Sequence, residues 1–166
     1  MSNINCQIWA PSRAIIPVTL DSEFRILPNF RVTELANNKA QDSVKLVIGD
    51  ERAWRLLNML QLTRYRYGSM NLNSVYRTKS YNDSLKYADK NSCHLKCWAF
   101  DWSKPGQTDS QRNEVAQWWK DLCTQYGEIG AINFYTNGYH CEIGSDVQYG
   151  NTEFKIRDYR GTSADW

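Results

Sequence analysis

The chain has 166 residues and a formal net charge of +2, with 13% aromatic residues that include 7 Trp and 10 Tyr. That length suits one domain able to bury roughly two-thirds of its unfolded surface, and the aromatic content excludes a disordered chain. The small net charge and the lack of Lys/Arg tracts give no footprint for nucleic acid, and no apolar run approaches the ~18 residues of a membrane span.

Residues 1–28 hold three of the four prolines (Pro11, Pro17 and Pro28) and short apolar runs such as Ala14-Ile15-Ile16, which reads as an extended arm rather than a helix. Its first thirteen residues show no basic segment followed by an apolar one, so no signal peptide is visible and a soluble protein made in the cytosol is expected. The five cysteines (Cys6, Cys93, Cys97, Cys123 and Cys141) are odd in number and scattered, which argues for a reducing compartment rather than a disulfide framework.

Ala53, Leu56, Leu57 and Leu60 recur at helical spacing after Asp50, a good N-cap, and predict a helix over 51–65. Met70 to Tyr76 alternates as a strand does, and a shorter helix is expected from Ser80 to Tyr87. Cys97 to Trp102 predicts a strand with two unlike faces: Trp98, Phe100 and Trp102 project one way, Cys97, Ala99 and Asp101 the other. After a loop marked by Pro105, Val115, Trp118, Trp119, Leu122 and Tyr126 form the stripe of a second long helix, started near Asp109 or Ser110 and stopped by Gly127. Ala131–Tyr135 and Tyr139–Ile143 flank Thr136-Asn137-Gly138 and predict a hairpin, in whose second arm His140 and Glu142 share a face. These elements predict an α+β fold, a small antiparallel sheet with helices packed on one side.

Placed side by side, the two strands bring Asp101, from a face of small residues, against the polar face that carries His140 and Glu142. His94, just upstream, can swing to the same side. Two imidazoles and a carboxylate make a three-ligand set with an open tetrahedral position, the pattern of a catalytic zinc site rather than a closed structural one. Spacing alone leaves two alternatives open. One is a hydrogen-bonded His–Asp pair without metal; the other is a Cys/His structural zinc site using Cys93, Cys97 or Cys141, whose spacings fit no common finger or ribbon.

The run Ser92-x-His94-x-x-Cys97-x-Ala99-x-Asp101, followed by His140 on a hairpin strand, resembles the signature of the zinc D-alanyl-D-alanine metallopeptidases, with Cys97 where glycine is usual. That family includes bacterial DD-carboxypeptidases, vancomycin-resistance dipeptidases and phage endolysins that cut L-alanyl-D-glutamate bonds, and the hedgehog signalling domain shares its fold. Further blocks resemble it in order: Asn29 to Leu35, Asn73 to Thr78 with Tyr81-Asn82, and Ile132 to Ile143. The resemblance implies a hedgehog-like peptidase domain over residues 29–166 behind the 1–28 arm, and one zinc ion held by His94, Asp101 and His140.

It also implies roles. The metal would lower the pKa of a water and polarise a peptide carbonyl, Arg77 would stabilise charge on the substrate oxygen, and a carboxylate three residues before the last histidine would act as base. Arg77 has a plainer alternative as a surface or sheet-edge ion pair. Asn137 stands at the position of the base and cannot take a proton. Glu142 matches the carboxylate of the family's His-x-Asp and is a candidate either to support His140 or to take over as base. The expectation is a phage-type zinc-binding domain with a degraded base, serving as a virion or tail module, with an active peptidase acting on peptidoglycan peptides as the alternative. The partners implied are peptidoglycan peptide or virion and tail proteins, with the arm lying across the domain or docked on a partner subunit.

Overall fold

The structure, a computed structural model, describes residues 2–162. It is an α+β fold of three small sheets and five helices. Strands β1 (Asn3–Trp9) and β2 (Ile15–Asp21) form an antiparallel hairpin, and a later strand, β5 (Leu46–Ile48), adds parallel to β1. The stretch read as an arm is thus extended, but folded back on itself. Ile4 and Cys6 of β1 are buried in the same apolar cluster as Leu46 and Ile48. Strands β3 (Arg25–Leu27) and β4 (Phe30–Arg31) make a second short ladder that leads into helix α1 (Val32–Leu35).

Helix α2 (Glu51–Tyr67) starts where the sequence predicts: an Asp50 carboxylate oxygen accepts the Ala53 N–H at 2.7 Å. Strand β6 (Asn71–Ser74) follows, then helix α3 (Lys79–Ser84), which is shorter than the expected Ser80–Tyr87. Leu85 leaves helical backbone, and the Asn82 side chain donates to the Asp89 carbonyl at 2.8 Å, tying the chain into a loop. A 3-10 turn at Cys93–Lys96 precedes β7 (Ala99–Ser103). Helix α4 (Asp109–Gln125) is capped by Thr108 rather than by Asp109 or Ser110. Gln111 completes a capping box there by accepting the Thr108 N–H.

Strands β8 (Ala131–Tyr135) and β9 (Gly138–Glu142) form the expected hairpin, and its turn residues are Thr136 and Asn137. Gly138 is the first residue of β9. A Cβ there would stand 2.2 Å from the Trp102 carbonyl oxygen, so glycine lets β7 approach. Helix α5 (Ser145–Tyr149) and strand β10 (Lys155–Asp158) end the described chain. The main sheet runs β10-β8-β9-β7-β6, antiparallel except for β10, which lies parallel to β8.

The two faces of this sheet differ as the alternation requires. One face carries Phe100, Trp102, Phe134 and Tyr139, with Trp102 stacked on Tyr139 at 4.9 Å between centroids. Helix α4 seals it: Trp119 meets Phe100 edge-on at 5.3 Å, and its indole N–H donates to the Ala131 and Glu142 carbonyls at 3.0 and 3.3 Å. Helix α2 adds Tyr67 against Trp102 at 5.9 Å. The opposite face is polar.

Candidate metal centre

In register across the polar face stand Ser74 of β6, Asp101 of β7, His140 of β9, Asn133 of β8 and Arg157 of β10. Two positions along, Glu142 lies between Ala99 and Ala131, whose small side chains leave it room. This row forms the floor of a cleft of about 740 Å³. Tyr81, Tyr135, Tyr149 and Tyr159 are among the residues that line it.

His94 reaches the row from the 3-10 turn, which Ser92 caps by accepting the His94 N–H at 3.3 Å. The His94 carbonyl accepts the Arg77 and Cys97 N–H groups at 3.0 and 3.2 Å, which fixes its backbone. Cys97 then adopts a left-handed conformation, φ 58°, where glycine is at ease and other residues are strained. The departure from glycine therefore bears on the backbone. Cys97 is buried and does not line the cleft, so the space in front of Asp101 stays open.

Among the described residues, His94, Asp101 and His140 are the group whose ligand atoms converge, all within 4.8 Å of one another. His94 Nε2 is 3.2 Å from Asp101 Oδ1 and 3.1 Å from His140 Nδ1, and His140 Nδ1 is 2.7 Å from Asp101 Oδ1. Their partners fix the tautomers. His94 Nδ1 lies 2.7 Å from the Val75 carbonyl, which can only accept, so the ring donates there and leaves Nε2 a lone pair. His140 Nε2 lies 3.0 Å from Glu142 Oε2 and donates to it, which leaves Nδ1 the inward atom. Three electron-rich atoms thus face one point, and only a cation or a proton relieves their repulsion. The group can hold a metal ion.

The charges around the point agree. Burial opposes charge on His140, but its hydrogen bonds to Asp101 and Glu142 outweigh that and hold the imidazole up at about 9. Burial dominates at His94 and lowers its pKa, against the pull of Asp101. For Asp101 and Glu142 burial alone would raise the pKa. The histidines outweigh it, holding Asp101 well below the carboxylate range and Glu142 at about 2. In the metal-free protein the His140 proton takes the place of the cation.

Behind these three sit the residues that aim them. Arg77 donates through Nη2 to Asp101 Oδ2 and through Nε to Ser74 Oγ at 2.9 Å, so Oδ1 is left to face the histidines. Glu142 accepts from His140 and, through Oε1, from the Ser145 hydroxyl at 2.9 Å. Carboxylates and carbonyls placed this way orient metal-binding histidines. Asn137 stands apart, exposed in the β8–β9 turn and outside the lining of the cleft. The cysteines take no part. All five are free and buried, and none joins the converging group, which among the described residues is His94, Asp101 and His140, so the geometry gives the Cys/His alternative no support.

Sequence reasoning missed Asn133 and Arg157. Strand β10 gave a weak signal, Phe154 and Ile156 alternating with Lys155 and Arg157, but its apolar Ile156 is 56% exposed and the charged Arg157 turns inward. Among the described residues no helix is long and apolar enough to cross a membrane. No protein-family model, curated protein or solved structure matches the chain, so the metal reading rests on the donor geometry alone.

Proposed function

We propose that the chain is a zinc-binding, DD-peptidase-like protein of phage type whose cleft holds short peptidoglycan peptides. The observation that carries this is the convergence of two imidazole nitrogens and one carboxylate oxygen at the floor of an open cleft. Two nitrogens and an oxygen suit zinc, and three protein ligands leave it an open position. Three ligands at ~2.0–2.2 Å from one tetrahedral ion stand about 3.3–3.6 Å apart. The observed 2.7–3.2 Å asks these separations to widen by less than about 1 Å, most of it between His140 and Asp101. Bound there, zinc would supply a polarised carbonyl and a water of lowered pKa.

The base is the weak part of a catalytic account. Glu142 is occupied on both oxygens by His140 and Ser145, and Asn137 lies outside the cleft. A positioned base contributes about 10²–10⁴-fold, so the geometry favours a module that holds its peptide and cuts it slowly, as a virion or tail component would. An active peptidase is the second reading, favoured by the open cleft. The test is equilibrium binding of the tetrapeptide L-alanyl-γ-D-glutamyl-L-lysyl-D-alanine to zinc-loaded protein, with cleavage followed by chromatography. Saturable binding with cleavage near background supports the module. Fast cleavage that a chelator stops supports the peptidase, and the lack of any binding contradicts both.

A further inference from the structure

We propose that Arg157 is the specificity residue of this cleft, binding a carboxylate of the peptide; the proposal rests on the peptide reading above. Arg157 ends the row that contains Asp101 and His140, and its side chain is 32% exposed at the cleft. Among the described residues its polar partners are Asn133 Oδ1 at 3.1 Å and Glu142 Oε1 at 3.6 Å, both held through Nη1. The edge formed by Nε and Nη2 is left for a ligand, and two parallel N–H donors match the two oxygens of a carboxylate.

The other arginine of the cleft cannot serve, since Arg77 is committed to Asp101 and Ser74. Lys39 and Lys86 line the cleft from exposed positions, where water screens them. Of the charged side chains lining the cleft, Lys39, Arg77, Lys86 and Arg157 face Asp89, Asp101 and Glu142, and a bound zinc ion would add to this positive excess, so the field favours an anionic ligand. Strand β10 lies two strands from β9, roughly 10 Å at the usual spacing. A peptide residue spans ~3.3–3.6 Å, so the carboxylate belongs within a few residues of the group placed at the metal. Both the chain terminus and the α-carboxylate of a γ-linked D-glutamate meet that distance.

Four forms of the tetrapeptide separate these sources, with the terminal and the γ-D-glutamyl α-carboxyl each free or amidated. With zinc-loaded wild type, amidating one of the two should weaken binding about tenfold or more, which identifies the carboxylate. Arg157→Gln should bind all four forms alike with zinc content unchanged, and Arg157→Lys should keep part of the preference. Wild type that binds all four equally overturns the proposal and leaves the peptide reading standing, and so does an Arg157→Gln protein that keeps the full preference. Binding of none of the four overturns both.

Discussion

His140 of β9 stands directly opposite Asp101 of β7 in the antiparallel ladder, and its Nδ1 lies 2.7 Å from Asp101 Oδ1. Directly opposed residues share a face of the sheet, so the ladder itself brings these two ligands together. Only His94 has to be delivered from outside, by the 3-10 turn.

Arg77 should matter through Asp101. Its guanidinium holds Oδ2 and so points Oδ1 at the histidines. Arg77→Gln should weaken metal affinity by about 10–100-fold, the usual effect of losing such a supporting partner. Competition with a chromophoric chelator reads this directly, and unchanged affinity would return Arg77 to a simple ion pair.

Asn137 and Glu142 should respond differently from one another. Asn137 is exposed in the turn, so Asn137→Asp should leave both metal binding and peptide cleavage within about twofold, a surface change of small effect. Glu142→Gln removes the charge that His140 Nε2 faces and should weaken metal binding by about 10–100-fold. If cleavage is fast in wild type and lost in Glu142→Gln with full zinc content, Glu142 is the base.

Cys97→Gly should be nearly neutral. Relieving a left-handed backbone is worth roughly 1–2 kcal/mol, while the lost buried thiol and the freedom of glycine in the unfolded chain each cost on the order of 1 kcal/mol. The sum should lie within about 1 kcal/mol of wild type in urea unfolding, with metal affinity unchanged. Cys97→Val keeps apolar volume but is β-branched, and should cost about 1–3 kcal/mol at φ 58°.

The metal-free protein should lose stability as pH rises. His140 has a folded pKa of about 9, above the ordinary 6.5, so the folded state holds this proton more tightly than the unfolded chain. That contribution is fully present below pH 6.5 and is lost as pH climbs through 9. Metal replaces the proton, so zinc-loaded protein should show no such fall. Urea midpoints across this range, with and without zinc, decide it.

Much of this centre is legible in the sequence because it is local. Period-two alternation puts Asp101 on the small-residue face of its strand, the β8–β9 hairpin puts His140 and Glu142 on one face of theirs, pairing the two strands makes these a single face, and Asp50 marks the start of α2. What the sequence hides is long-range. Strand β10 is four residues long and pairs parallel with β8, and its exposed Ile156 and inward Arg157 invert the usual pattern. The 1–28 stretch reads as an extended arm because its apolar runs are short, and the partner of β1 beyond the hairpin, β5, lies well downstream. Asn137-Gly138 is a strong turn signal for the right hairpin, yet the glycine serves the approach of β7 and not the turn.

The most direct test is elemental analysis of the purified protein beside His94→Ala and His140→Ala. Wild type should carry about one zinc per chain, both variants close to none, and a chelator should lower the melting temperature of wild type alone, because metal bound only to the folded state stabilises it. Wild type that takes up no metal when offered zinc, or variants that keep a full equivalent, would contradict the account.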